Sequence, residues 1–139
     1  MSCRTADDLL SAKEVSSHFG VDLLELDLTE EYLAQVFNPF LVSCRNGKIS
    51  NPDIDCNAQI KFGLLFRFLN QYFPNFIYLV TGHYAEISKK DNVFLLKKGI
   101  DKSKDQSYFL STIDPKYLKN LLFPLGGILK SEVKKEVSR

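Results

Sequence analysis

A short apolar run in the middle of the chain places the strongest constraint on the fold. Residues 76–80, Phe-Ile-Tyr-Leu-Val, contain no polar alternation. Such a run is typical of a strand buried on both faces, as in a parallel sheet. In a doubly wound sheet, the residues just past the carboxyl end of a strand line the ligand crevice. The run therefore predicts an α/β domain with a candidate site at residues 81–84.

Helical periodicity and turn signals predict further elements on both sides of this strand. Apolar residues recur at helical spacing in several segments. The predicted helices comprise residues 5–19, 29–45, 58–72, 116–122 and 130–138. Loose alternation of leucines and acidic residues predicts a strand over residues 21–28. Residues 85–88 and 93–96 are predicted to pair as a hairpin through residues 89–92.

Composition limits the functional classes. The 139 residues amount to one domain, and the net charge of +1 gives no bulk electrostatic reason to bind nucleic acid. An RNA contact would therefore require a local basic patch. The three cysteines are widely spaced and include no CxxC pair, so neither a disulfide framework nor a metal site is predicted. No apolar run reaches the length of a membrane span and no signal peptide is recognisable, so we expect a cytoplasmic protein.

One cysteine follows a loop that contains a proline. Pro52 favours an extended backbone before it, and Asn57 is predicted to cap the helix that follows. Cys56 would then lie at a helix N-terminus, where the macrodipole stabilises a thiolate. Asp53 would place a proton-carrying carboxylate beside the sulfur, whereas the charge of Asp55 opposes thiolate formation. A buried structural cysteine fits the same spacing, and these residues alone leave both interpretations open.

Two other stretches combine residue types that contact nucleotides. Gly82 allows close backbone approach at the strand end, where His83 or Tyr84 would touch a base or ribose. An ordinary strand-end turn fits the same residues. Four lysines beside Tyr108 form the one local basic patch, and a solvated basic loop is the alternative there. These lysines are Lys97, Lys98, Lys102 and Lys104.

Four stretches resemble the motifs of a known family, the tRNA-specific 2-thiouridylases (tRNA-uridine 2-sulfurtransferases of the MnmA/TrmU type). Residues 51–63, NPDIDCNAQIKFG, are similar to the family signature NPD-x-x-CN-x-x-IKFG. The other three motifs are TGHYA at 81–85, KDQSYFL at 104–110 and LFPLG at 122–126. The segment CRTADD, from Cys3 onward, also resembles the family. The motifs occur in the family's order and cover nearly the whole chain.

The resemblance implies a fold and a reaction. Residues 1–114 would be part of a doubly wound, Rossmann-like domain of the PP-loop ATP pyrophosphatase type, and residues 115–139 the start of a small helical domain. The implied activity is ATP-dependent 2-thiolation of the wobble uridine of tRNA. ATP and Mg²⁺ would adenylate the C2 oxygen, and a cysteine persulfide would deliver sulfur. The implied partners are tRNA and a sulfur-relay protein or cysteine desulfurase as the persulfide donor.

The resemblance also implies roles for individual residues. Cys56 matches the first catalytic cysteine, a nucleophile that pairs with the persulfide cysteine to release sulfur. Asp53 matches the acid/base carboxylate. The remaining matches are contacts with the substrates: Gly82 with ATP; Asn51, Pro52 and Asp53 with the target base; His83, Lys104, Asp105 and Gln106 with tRNA.

The sequence also departs from the family pattern. No residues here match the SGGVDSS loop that cradles the ATP phosphates, and neither Cys3 nor Cys44 matches the second, persulfide-carrying cysteine. Asp55 replaces a usually apolar residue, and residues 49–50 are Ile-Ser where Thr-Pro is common. We therefore expect the isolated chain not to complete catalysis.

Three alternatives remain beside the family interpretation. One is a catalytically dead tRNA-binding or complementation fragment, and another is an amidating or tRNA-lysidine-type enzyme of the same superfamily. The third is a purely structural α/β domain. Uncovered sheet edges and helix faces are expected to favour aggregation or a partner, for which the missing parts of the same domain are candidates. A eukaryotic organellar homologue would be mitochondrial.

Overall fold

The computed structural model describes the backbone of residues 5–137 and side chains from residue 7 onward. Cys3, the side chain of Thr5 and the predicted helix end at Ser138 lie outside the described parts. Helix α1 comprises Thr5–Phe19. It ends at Gly20, whose φ of 63° is the left-handed conformation that commonly closes a helix.

Two long helices, α2 and α3, follow, and each contains a π-helical segment. Helix α2 covers residues 29–45, with Leu33–Phe37 in π geometry. Its π turn lies just before Pro39, which has no N–H to donate to the helix ladder. Helix α3 covers residues 52–72, with Cys56–Leu64 in π geometry. The two predicted helices are thus present, although α3 starts earlier than the sequence indicated.

The strands form two separate pairs. Strand β1, Leu79–Val80, pairs in parallel with β4, Leu121–Leu122. Strands β2, Ala85–Lys90, and β3, Val93–Lys98, form the predicted antiparallel hairpin. The two turn residues between them, Asp91 and Asn92, have φ of 48° and 63°, the combination that a tight hairpin turn requires.

Short helices complete the described chain. Ser107–Leu110 and Pro115–Asn120 are 3₁₀-helices, and α4 comprises Lys130–Val137. The core joins α3 to the hairpin and to both 3₁₀-helices, which holds the loops after β1 and β3 against α3. Its buried residues are Phe62, Phe66, Ala85, Leu110, Ile113, Leu118 and Leu121.

Three secondary-structure predictions need correction. Residues 21–28 are not a strand, because no other described segment offers them a partner for backbone hydrogen bonds. The apolar run is a strand only at its last two residues, and Val80 is 54% exposed, so this strand is not buried on both faces. The helix predicted over residues 116–122 is a 3₁₀-helix that ends at Asn120, because Leu121 and Leu122 pair with β1 instead.

The α/β class itself is confirmed. The division into residues 1–114 and 115–139 stays a prediction. Many large apolar side chains are exposed, among them Phe19 at 70% and Ile77 at 65%. Uncovered faces were expected, and the aggregation that they favour also stays a prediction. No helix among residues 5–137 is long and apolar enough to cross a membrane.

Candidate active site

Helix α3 begins with a proline that follows a capping residue. Asn51 is extended, at φ −118° and ψ 105°, and its side-chain oxygen accepts a hydrogen bond from the backbone N–H of Asp53 at 3.0 Å. Pro52 occupies the first helical turn, where its missing N–H costs nothing. The prediction that Asn57 caps the helix is therefore wrong, because Asn51 already performs this role. Cys56 lies in the second turn rather than at the first residue.

The side chain of Asn57 faces inward instead. Its Nδ2 donates a hydrogen bond to the carbonyl oxygen of Asp53 at 2.9 Å, which fixes the turn that carries the carboxylate. Asn57 is 4% exposed, and its Oδ1 has no hydrogen-bond partner among the described residues. An unsatisfied buried acceptor costs about 1–3 kcal/mol. An unpartnered buried polar group is rare in proteins, and its place beside a cavity is consistent with a functional role.

One cavity gathers both predicted catalytic residues, Cys56 and Asp53. It has a volume of about 310 Å³. The lining side chains come from α3, from the loop after β1 and from the segment after Asp105: Asp53, Cys56, Asn57, Lys61, His83, Gln106 and Phe109. A carboxylate, a thiol, an imidazole and an aromatic ring therefore share one pocket just beyond the end of a parallel strand.

Burial governs the thiol of Cys56. Partial burial raises the pKa of Cys56, the nearby charge of Lys61 lowers it, and that of Asp53 raises it again, with a net result above the usual value. The thiol is thus protonated at neutral pH. The macrodipole adds little to this balance, because Cys56 lies beyond the first turn and its surroundings are partly desolvated, and the reactive role of Cys56 stays a prediction.

His83 is held in a defined orientation in the loop after β1. Its Nδ1 lies 2.7 Å from the hydroxyl of Thr81, and its ring packs 5.7 Å from Phe62 and 5.8 Å from Phe123. Burial lowers the pKa of His83, and the charge of Lys61 lowers it further. The imidazole is therefore neutral at pH 7 and serves as a hydrogen-bonding group rather than a cation.

Gly82 leaves the strand end open to a ligand. It is exposed, and a Cβ added there would meet only Leu125 Cδ1, at an ordinary contact distance of 3.7 Å. The protein's own packing does not require glycine at this position. A role for Gly82 in the close approach of a ligand stays a prediction.

Of the three residues predicted to contact tRNA in this segment, Gln106 and Asp105 make hydrogen bonds within the protein, whereas Lys104 is exposed. Gln106 ties its segment to the strand end, because its Oε1 accepts from the N–H of Tyr84 at 3.0 Å and its N–H donates to the Tyr84 carbonyl at 2.9 Å. Asp105 accepts hydrogen bonds from the N–H groups of Gly99 and Ser107, at 3.1 and 3.2 Å. Lys104 is exposed and lies outside the cavity lining.

The carboxylate of Asp105 is thus used within its own loop. Partial desolvation raises the pKa of Asp105, but the hydrogen bonds from Ser107 and Gly99 outweigh it, and the net pKa lies below the usual value. On either side of the loop that Asp105 closes, Lys97 and Lys98 of β3 and Tyr108 line another, shallow cavity of about 500 Å³. The predicted basic patch is exposed as expected.

Sequence reasoning missed three lining residues of the Cys56 cavity. The sequence predicts a capping role for Asn57. Lys61 and Phe109 occur within the motifs at 51–63 and 104–110, but no individual role is predicted for them. Lys61 follows Cys56 by five residues, a spacing that does not indicate a shared face in an ordinary α-helix. Asn51 and Pro52 lie at the start of the same helix without lining the cavity. Among residues 5–137, no group of His, Cys, Asp or Glu is arranged to hold a metal ion.

The fold and the site together define an α/β domain that gathers a thiol, a carboxylate and an imidazole beyond the end of a parallel strand. The family model described as "tRNA methyl transferase HUP domain" matches residues 1–139. The chain therefore belongs to this family.

Curated relatives extend the comparison. The chain is 44% identical to the tRNA-specific 2-thiouridylase MnmA of Buchnera aphidicola subsp. Schizaphis graminum over 132 residues. These matched residues are 95% of this chain and 36% of the relative. It is 41% identical to the protein of the same name from Methylococcus capsulatus and 40% identical to that from Mycoplasma pneumoniae, each over 95% of this chain and 35% of the relative. The chain thus spans about a third of the length of these relatives.

Proposed function

We propose that this chain forms the target-base and thiol site of a tRNA 2-thiouridylase, which replaces the C2 oxygen of the wobble uridine with sulfur. The observation that carries the proposal is the single cavity shared by Cys56, Asp53, His83 and Gln106. The names of the curated relatives support the same reaction class. A base removed from its stack requires a pocket with an aromatic wall and polar groups along its edge, and Phe109 and Gln106 offer these here.

In the proposed reaction, the residues that line the cavity have different roles: proton acceptance, nucleophilic attack and orientation of the base. Asp53 accepts the thiol proton of Cys56, since its carboxylate lines the same cavity. A second cysteine carries a persulfide, and its outer sulfur has bonded to C2. The Cys56 thiolate then attacks the inner sulfur, the Sγ of that second cysteine. A disulfide forms between the two cysteines, the bond between the persulfide sulfurs breaks, and the outer sulfur stays on the base. Neutral His83 and Gln106 orient the base by hydrogen bonding.

ATP is the proposed co-substrate, with Mg²⁺ on its phosphates. Its adenylyl group would be transferred to the C2 oxygen with release of pyrophosphate, and this oxygen would leave as part of AMP when the outer persulfide sulfur bonds to C2. The open backbone at Gly82 fits the approach of a nucleotide, because among the described residues other than its chain neighbours the nearest atom to an added Cβ would be Leu125 Cδ1, at 3.7 Å. No metal-binding cluster exists among residues 5–137, so the metal would be held by phosphate oxygens or by residues outside this part of the chain.

The remaining residues have proposed roles in substrate binding. Asn51 and Pro52 fix the helix start that presents Asp53 to the base. Lys104 is exposed and supplies a phosphate contact, while Asp105 shapes its loop. We further propose a sulfur-relay protein or cysteine desulfurase as the persulfide donor, and the cytoplasm as the location of the reaction.

A second candidate function is a tRNA-binding module without catalysis. The raised pKa of Cys56 favours it, because a protonated thiol is a weak nucleophile. The two candidates differ in one respect, which is whether the sulfur of Cys56 reacts once the base is bound.

The experiment replaces the matching segment of a curated relative with this chain and measures 2-thiouridine in tRNA from cells that lack their own enzyme. We expect 2-thiouridine from the chimera and none from its Cys56→Ser variant. Asp53→Asn should slow thiolation about a hundredfold or more, the usual contribution of a positioned acid/base. Cys44→Ser is the matched control, because Cys44 is an exposed free cysteine away from the cavity.

Two results would decide against the proposal. Thiolation that persists in the Cys56→Ser chimera would remove the cysteine from the reaction. A chimera that binds tRNA but forms no 2-thiouridine would favour the binding module instead.

A further inference from the structure

A lysine shares the cavity with Cys56 although the sequence places it five residues later. Among the residues that the structure describes, Lys61 is the only lysine or arginine that lines this cavity. In an α-helix of about 3.6 residues per turn, residue i+5 lies about 140° around the axis from residue i. A π turn closes on residue i+5 instead, and Cys56–Leu64 is π-helical. The π register therefore brings the ammonium to the side of the helix that carries the thiol.

A glycine permits this register. A Cβ added at Gly63 would lie 2.7 Å from the carbonyl oxygen of Ala58, five residues earlier. Real Cβ atoms do not come this close to a backbone oxygen, so any other residue would force the turn to move. Gly63 thus allows the wide turn that lies between Cys56 and the end of the π segment.

We propose that Lys61 is a positioning residue whose ammonium stabilises the thiolate form of Cys56, and that the π-helical register of α3 exists to bring the two together. The proposal rests on the role of Cys56 as nucleophile given above. It names a residue whose charge makes the proposed reaction possible in a cavity that otherwise disfavours a thiolate.

The other groups around the thiol leave this role to Lys61 alone. From α3, the carboxylate of Asp53 shares the cavity and raises the pKa of Cys56, while Asp55 adjoins it in sequence. From the loop after β1, His83 is neutral at pH 7. From the segment after Asp105, Gln106 and Phe109 contribute no charge. Lys61 is the one charged group that lowers the pKa of the thiol.

The test measures the thiol pKa of Cys56 in the full chain, from the pH dependence of its alkylation by iodoacetamide, with peptide mapping to separate the cysteines. We expect Lys61→Gln to raise this pKa by roughly half a pH unit, the scale of a partly exposed ion pair. Lys61→Arg should keep the wild-type value, and Lys119→Gln, an exposed lysine outside the cavity, is the matched control.

Salt provides a second readout that a structural role would not produce. At about 1 M salt the screening length is about 3 Å, so the difference in the Cys56 pKa between wild type and Lys61→Gln should shrink, while the screening of Asp53 affects both proteins alike. An unchanged pKa in Lys61→Gln, or an equal rise in Lys61→Arg, would overturn the proposal. The alkylation needs neither RNA nor ATP, so its outcome is independent of whether the chimera thiolates tRNA.

Discussion

The side chain of Gln106 contributes to the stability of the fold, in addition to its predicted contact with tRNA. Its Oε1 is the acceptor for the backbone N–H of Tyr84, a residue that is only 6% exposed. Gln106→Met keeps the size of the side chain but leaves this N–H without a partner. Loss of one neutral hydrogen bond with a buried donor left unsatisfied costs about 2 kcal/mol. Gln106→Glu retains an acceptor oxygen and should cost much less.

The assay is urea unfolding followed by circular dichroism, with all three proteins at the same concentration. We expect the midpoint of Gln106→Met to fall by the amount that corresponds to about 2 kcal/mol at an unchanged slope. The backbone hydrogen bond from Gln106 to the Tyr84 carbonyl remains in both variants, so it does not contribute to the difference.

Equal stability of Gln106→Met and wild type would refute this reasoning. It would mean that the N–H of Tyr84 finds another acceptor, and that Gln106 is free to serve tRNA alone. Equal losses in Gln106→Met and Gln106→Glu would also refute it, because only the first variant removes the acceptor.

Two further predictions concern the same region. Gly126→Ala should lower stability by about 3 kcal/mol in a thermal melt, because the new Cβ would lie 1.8 Å from the Ala85 carbonyl oxygen. Gly127→Ala, whose Cβ would lie 3.6 Å from Glu86, is its control, and equal effects would contradict the steric argument. Burial lowers the pKa of His83 in the folded chain. Its contribution to stability is therefore complete above about pH 6.5 and lost as the pH falls through the folded pKa, so His83→Gln should show a flatter decline in acid melts.

Local sequence signals predicted the parts of the fold that depend on local backbone geometry. The helical turn after Asp114 is an example: Asp114 accepts a hydrogen bond from the backbone N–H of Lys116 at 3.0 Å, and Pro115 follows this cap. The residues after it were wrongly extended as a helix, because pairing of Leu121 with β1 is a long-range contact that periodicity does not reveal. The strand prediction for residues 21–28 is wrong for a related reason, since the alternation of apolar and acidic residues does not show whether a partner strand is present.

The candidate site was predictable in its members but not in its electrostatics. The motifs singled out Cys56 and Asp53, and the structure brings both into one cavity with His83. The direction of the Cys56 pKa depends on burial by segments far along the chain, which the loop sequence does not encode. The place of Lys61 in the cavity could not be predicted, because it depends on a π turn that the apolar periodicity does not indicate. The catalytic and binding roles of these residues stay predictions.

The most direct test of the central claim is site-specific crosslinking of this chain to RNA. An anticodon stem–loop that carries a thiol-reactive mixed disulfide on its wobble base is incubated with the protein, and the labelled cysteine is mapped. Of the two cysteines that the structure describes, Cys44 is exposed and Cys56 is half-buried, so unspecific chemistry would label Cys44 before Cys56. The proposed site predicts faster labelling of Cys56, suppressed by an unmodified stem–loop with a wobble uridine. Preferential labelling of Cys44, or no suppression by that competitor, would contradict it.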